Sequence, residues 1–561
     1  MKYIYLKSLR TTWLLALTIL FITSCTDILE KQPPTAISDA NFWTGESDAL
    51  LALTGCYRFP SGWTHEDFAA PQGLLMLDFA GGNGTEKENF STLGMASTNT
   101  LATSSLALNY WGNSYSQIAH YNTFLDNIDK CPMDGTKKAL WTAEVKCLRA
   151  YYLFYLAFHW GDVPMPLKTL SLQDANTIAQ TTQAIVYSQV EKDLTEAIAL
   201  LPDTRIPKEF GRFTKSAARV LLSRLYLAQN KWTESASSLK TVIDAGLYQL
   251  DRRNGDASYE KLFQKGGEYS PEMIFCVQYI KDLFTNSRYQ YLYPECAYGG
   301  WHQFAPYNEL VKAYFCTDGE DISSSSVYDD NDPYSNRELR LYASIFLPPL
   351  GTYTGTKYNT ITYNCFLGAN KNDSYNRYTL FNGYSPKKGC DPSVTNALGS
   401  SYTYTPLMRY AEVLLSYLEA VNESAPATVT QALLDKTIND IRNRVKLPSI
   451  LLANVGTQAL LRDAVRKERR VELAFEGFRY FDVLRWGTAI QELNHTFTGV
   501  KLSDNPAAPN FRGSGATASP VDANMYYMFE TRTWDAHNRY FPIPQNDLNI
   551  NKNLVPNPGY N

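Results

Sequence analysis

Residues 466–487, RKERRVELAFEGFRYFDVLRWG, decide how this chain is read. Glu468, Glu472 and Glu476 recur at every fourth position, so on a helix they share one face. Arg466, Arg469, Arg470 and Arg479 are interleaved with them, and Val471, Phe475, Phe478 and Phe481 supply apolar packing. Two such carboxylates would suit a glycosidase only if they faced each other across a sugar, about 5–9.5 Å apart and usually from separate elements. Acids alternating with arginines predict instead an internal ion-pair lattice, so the segment is read as architecture.

Helical spacing extends outward from this stretch. It covers 457–490, 427–446 and 406–424 on the C-terminal side, and 46–57, 108–130, 136–160, 183–201, 213–229 and 231–245 further forward. The pair 213–246 has about the length of one tetratricopeptide unit, with Ala217, Tyr226, Ala228, Trp232 and Ala236 placed for close helix approach. Several helix pairs in a row predict stacked hairpins. Between them, 247–405 is irregular and rich in Tyr, Asn, Gly and Pro, with a strand-like run at 273–279 and a short helix at 307–315. Residues 59–105, with Gly81, Gly82, Asn83 and Gly84, read as a long surface excursion, and 500–530 as another loop. The predicted fold is mainly α: a tetratricopeptide-like helix-pair scaffold with an irregular, loop-rich part carrying short strands.

At 561 residues the chain can bury a large core without disulfides or metals. It is 44% hydrophobic and 19% charged, which is globular. The balance of 52 basic to 56 acidic residues, with no basic stripe, speaks against a nucleic-acid partner. The six His form no HExxH, and there is no GxSxG, no P-loop and no dinucleotide-binding glycine motif after a strand. Residues 329–332 (DDND) are oxygen-rich but lack EF-hand spacing and its glycine. No cofactor is predicted, and calcium in a structural role is left open.

The N-terminus speaks to compartment. Lys2, Lys7 and Arg10 precede the apolar run 11–22, which is too short to span a bilayer and fits a signal peptide. Ile22, Thr23, Ser24 and Cys25 resemble a bacterial lipobox, which implies cleavage before Cys25 and lipidation of its thiol. An ordinary signal peptide with a chance Cys is the competing reading. Removing 1–24 takes away three basic residues and no acid, shifting the net charge from −4 to about −7. Residues 25–45, polar and carrying Pro33-Pro34, read as a tether with a helix N-cap at Ser38 or Asp39. The remaining Cys form no CxxC pair, and buried free thiols are as good a reading as disulfides.

Aromatic residues reach 13%, with 39 Tyr. Tyr289, Tyr291, Tyr293, Tyr298, Trp301 and His302 crowd into one irregular segment around Gly299-Gly300, a cluster no helix or strand period explains. A sugar ring has an apolar C–H face and a hydroxyl edge, so its recognition wants flat rings flanked by polar groups. Trp301 and Tyr298, with Tyr293 and Tyr291, are expected as platforms. Asp78 and Asn83 are expected as hydroxyl partners, and Trp63 and Glu86 are further candidates in the front excursion. Core packing is the competing use for any one of these rings.

Segment 466–487 resembles the C-terminal signature of the SusD/RagB family, outer-membrane nutrient-binding lipoproteins of Bacteroidetes. Further resemblances follow in the family's order: 25–57, 270–279, 313–321 (AYFCTDGED), 336–341 (NRELRL), 406–424, then 540–544 (YFPIP) with 557–560 (NPGY). The chain departs where the family often has Arg-Asp-Pro-Arg and this sequence has Arg337-Glu338-Leu339-Arg340, which should alter a turn. The resemblance implies an N-terminal part at 46–260 with tetratricopeptide-like pairs and a C-terminal part at 261–561, packed as one globule. It implies a lipid-anchored, surface-exposed outer-membrane protein that is not an enzyme. Such a protein binds oligosaccharide, or peptide in RagB-type members, as a hinged lid over a SusC-like TonB-dependent porin, and the family draws its ligand site from the two candidate regions above. A surface glycosidase is the remaining alternative.

Overall fold

The computed structural model describes residues 42–59, 67–86, 105–286, 304–347, 352–353, 361–362, 382–391, 401–502 and 521–560. The principal N-terminal helices are α1 (Glu46–Cys56), α2 (Pro71–Asp78), α3 (Ser105–Asn127), α4 (Gly135–Trp160), α5 (Gln183–Leu200), α6 (Lys215–Ala228) and α7 (Trp232–Asp244). Those of the C-terminal part are α8 (Tyr410–Ser424), α9 (Gln458–Glu472), α10 (Arg479–Arg485) and α11 (Gln545–Ile550). Strands are short, and among the described residues those of three residues or more are β1 (Gly84–Glu86), β2 (Met273–Val277), β3 (Phe304–Pro306), β4 (Thr405–Arg409), β5 (Thr496–Lys501) and β6 (Tyr526–Thr531). They pair antiparallel as β1–β3, β2–β4 and β5–β6. The mainly α reading holds.

Local chemistry sets the helix ends. Asp134 caps α4 by accepting from Lys137 N, and Gly161, at φ +76°, lets the chain leave it. Thr214 caps α6 and Thr457 caps α9 in the same way. Asn230, at φ +55°, turns the chain between α6 and α7, whose facing Ser223 and Ser235 hydroxyls meet at 2.8 Å. Arg149 pairs with Asp193 at 2.8 Å between α4 and α5, both buried. Arg224 of α6 grips Glu412 of α8 with two bonds of 2.6 and 2.8 Å, tying the front hairpins to the C-terminal helices. The main buried cluster runs from Trp43 to Leu554, and a smaller one surrounds α8.

Three expectations change. Within the excursion 59–105, residues 67–86 lie inside the protein: every residue of α2 except Gln72 is buried. The glycines here serve close packing. A Cβ on Gly73 would fall 2.1 Å from the Asp67 carbonyl oxygen, and one on Gly81 2.6 Å from Tyr480 N. The helical pattern 457–490 breaks at 473–478, where Phe475 and Gly477 take φ of +67° and +87°, so Glu476 sits in a turn beyond the helix that carries Glu468 and Glu472. The ion-pair lattice exists, but its cations come mostly from elsewhere in the chain. Five buried carboxylates, Glu272, Glu338, Glu468, Glu472 and Glu476, meet five buried cations, Arg340, Arg409, Arg442, Arg444 and Lys388. Of the interleaved arginines, Arg469 pairs with Asp482, Arg470 with Asn83, and Arg479 with Glu492.

Candidate functional site

The two regions expected to supply ligand contacts leave the described core side by side. After α2 the chain makes a π-turn over Phe79–Asn83, with Gly82 at φ +87°, and enters β1. β1 runs antiparallel to β3, placing Glu86 opposite Phe304. Glu86 is the last described residue before 87–104, and Phe304 the first after the aromatic segment 287–303. At the other end of that segment Asn286 bridges to Ser401 through two backbone bonds of 2.7 and 2.9 Å.

A buried network holds this rim. Thr85 Oγ1 donates to Glu530 Oε2 at 3.0 Å, and the Tyr307 hydroxyl donates to the same oxygen. Arg532 pairs with Glu530 and donates to the carbonyls of Phe79 and Gly84, each at 3.0 Å. Its guanidinium lies over the Tyr307 and Phe497 rings. Burial alone would push the Glu530 carboxyl up, but Arg532 and the Tyr307 hydroxyl hold it below its ordinary value. Glu530, Arg532, Tyr307 and Thr85 were not singled out from the sequence. They are scattered along the chain and carry no motif.

Asp78 and Asn83 hold positions different from those expected of them. Both are buried, at 1% and 0% exposed. The Asp78 carboxylate accepts from Asn83 Nδ2 and Phe475 N, both at 2.8 Å, and from Arg479 N at 3.3 Å. Asn83 Oδ1 accepts from Arg470 Nε at 3.0 Å. The pair splices the end of α2 to the turn after α9, and their polar groups are spent on the fold rather than offered to a ligand. Trp63, Tyr291, Tyr293, Tyr298, Trp301 and the lipidation candidate Cys25 lie outside the described residues, as does the N-cap expected at Ser38 or Asp39.

The carboxylates of 466–487 are equally unavailable. Glu468 and Glu472 are 0% exposed and Glu476 7%, and each is paired with a cation. An acid–nucleophile pair needs an open cleft between its carboxyls. In the acidic run, Asp330 pairs with Lys501, and Asp329 caps Asn331 N. The described residues hold no group of three or more His, Cys, Asp or Glu arranged for a metal ion, and no helix long and apolar enough to cross a membrane. Two of the cavities lined by described residues stand apart from the rim. One of about 790 Å3 lies between α1, the start of α4 and 206–212, walled by Leu50, Leu53, Tyr57, Trp141 and Phe210. One of about 280 Å3 lies between α3, the loop after α4 and α11.

Comparison with known proteins decides the family. The model of the SusD family matches residues 271–560, more than half of the chain. The chain belongs to the SusD family. A second family model, described as starch-binding and associating with the outer membrane, matches residues 80–227. The SusD-family chain is 30% identical to a SusD-like carbohydrate binding protein from Bacteroides fragilis, with a TM-score of 0.81 over 92% of this chain and 100% of that one. It is 25% identical to a laminarin binding SusD-like protein, with a TM-score of 0.64 over 92% and 100% of the two chains. A SusD-like protein of Formosa agariphila is 24% identical over 99% of this chain and 100% of its own.

Proposed function

We propose that this SusD-family protein is a non-enzymatic glycan-binding lipoprotein of the outer membrane. It captures oligosaccharide at the cell surface and hands it to a SusC-like TonB-dependent porin, over which it acts as a lid. The observation that carries the reading is the β1–β3 pairing. It draws the polar excursion after Glu86 and the aromatic segment before Phe304 out of adjacent backbone positions, where rings and polar groups can meet one ligand. The names of the relatives, carbohydrate binding and laminarin binding, support the ligand class. The burial and pairing of Glu468, Glu472 and Glu476 weigh against hydrolysis.

In this reading Trp301 and Tyr298, with Tyr293, Tyr291 and Trp63, provide stacking faces, and Cys25 carries the lipid. The body 46–260 together with 261–561 works as one unit, tethered through 25–45. A glycan array on the soluble body 26–561 tests the ligand class, and reducing-end release from each bound polysaccharide tests for turnover. Binding without release is expected. Sustained release would establish an enzyme, and an array on which no glycan binds would remove the ligand class.

A further inference from the structure

The smaller cavity, about 280 Å3, is built from Trp111, Gly112 and Tyr115 of α3, Pro164 and Pro166 of the following loop, and Asp547 of α11. Trp111 and Tyr115 stand edge to face, ring centroids 4.9 Å apart. The Tyr115 hydroxyl donates to the Pro164 carbonyl at 2.7 Å, which fixes that wall. Asp547 is half-buried, and no Lys, Arg or His is among the described residues that line the cavity. Burial pushes its carboxyl up, opposed only by hydrogen bonds from the Trp111 indole and its own backbone. A carboxylate taken from water without a cationic partner is unfavourable, and a cation that enters beside it restores the balance.

Gly112 adds an independent observation. It lies well inside the helix α3, where glycine is the least favourable residue short of proline. A Cβ built on it meets nothing within 4 Å, so no packing contact requires glycine there. It is exposed and leaves that part of the cavity wall without a side chain.

We propose that this cavity is a second ligand site, apart from the β1–β3 rim, and that it takes an organic ammonium group held by Asp547 and faced by the rings of Trp111 and Tyr115. An ammonium pairs with the carboxylate and is attracted to the aromatic faces, while the proline rings cover its carbon skeleton. The volume suits one sugar ring or one side chain. Two sources carry that chemistry: the amine of a deacetylated hexosamine, and the side chain of a lysine in a peptide.

Calorimetric titration of the soluble body 26–561 with glucosamine, N-acetylglucosamine, glucose and Nα-acetyl-lysine methylamide tests this. At least one amine should bind ten-fold or more tightly than N-acetylglucosamine and glucose. Preference for glucosamine assigns the site to glycan, and preference for the lysine derivative assigns it to peptide. Asp547→Asn should weaken amine binding at least ten-fold. Gly112→Leu should abolish it by filling the cavity, with the unfolding temperature maintained. Glucose binding as tightly as the amines, no binding of either amine, or amine binding indifferent to both substitutions would overturn the proposal.

Discussion

Arg409 and Glu472 meet in the interior, Nη1 to Oε1 at 2.6 Å, with neither side chain more than 1% exposed. Arg409 ends β4 and Glu472 ends α9. The same carboxylate also takes Arg340 at 2.9 Å and Arg444 at 2.5 Å, while Arg409 reaches on to Glu272 and Glu476. Burial would push Glu472 up, but the guanidiniums of Arg444, Arg409 and Arg340 hold it well below the usual carboxylate range.

Glu472→Gln leaves those guanidiniums short of a counter-charge in a place water does not reach. Removing one partner of a buried pair costs about 3–5 kcal/mol, and urea unfolding should show a loss of that order. Because the folded value is depressed, this contribution is present above the ordinary Glu value of 4.5 and is lost as pH falls toward the folded one. A variant within 1 kcal/mol of the parent would mean that the lattice does not hold the C-terminal half.

How much of this was legible in the sequence follows from where each partner lies. Helix ends at 135, 160, 215 and 232 were readable within a residue or two, because caps and apolar spacing are local signals. The existence of an ion-pair lattice was readable from 466–487, but not its membership, since Arg340, Arg409 and Arg444 lie far off in sequence and only the fold brings them in. The glycine at 81 misled, because a glycine needed for close backbone approach looks the same in sequence as one in an open loop. Asp78 and Asn83 misled with it: polar residues among glycines read as exposed until Phe475 N and Arg479 N are seen to claim them.

His159 gives a pH prediction. It is 1% exposed and stacks between Phe68 and Phe541, each within 9° of parallel, with centroids 5.3 and 5.2 Å away. Neither ring nitrogen has a hydrogen-bond partner among the described residues. Burial, with Arg539 nearby, pushes its pKa well below 6.5, so the folded protein keeps it neutral while the unfolded chain protonates it. Stability therefore falls with pH below about 6.5, by up to about 1.4 kcal/mol per unit. Asp67, which burial raises to about 6, acts oppositely, gaining its proton in the folded state as pH falls from there toward 3.8. His159→Phe keeps the stack and removes the imidazole, so its unfolding temperature should fall less than the parent's between pH 7 and pH 6. Parallel slopes would show that another group sets the acid limit.

Thiol reactivity follows from burial. Cys56, Cys131, Cys147, Cys276 and Cys316 are unpaired and buried. Burial pushes Cys56 up to about 12 and raises Cys147 and Cys276 as well, and the thiolate is the reacting form. Alkylation of the native body 26–561, mapped by mass spectrometry, should spare these positions and reach them in urea. Native labelling of Cys56 would show that α1 opens on the labelling timescale.

The last contrast separates a ligand platform from a core residue. The Asp78 carboxylate accepts from Phe475 N, Arg479 N and Asn83 Nδ2. Asp78→Ala leaves buried donors unpaired at about 1–3 kcal/mol each, so it should lower the unfolding temperature and impair glycan binding only in proportion to unfolded protein. Trp301→Ala should do the reverse, weakening binding to the best array glycan about ten-fold or more, the equivalent of about 1.4 kcal/mol, while the unfolding temperature stays with the parent's. Measured together by calorimetry and thermal unfolding, the two variants give opposite patterns if Trp301 faces the ligand. If Trp301→Ala instead loses stability as Asp78→Ala does, the ring is packed in the core. The stacking face would then fall to the other proposed rings, Tyr298, Tyr293, Tyr291 and Trp63.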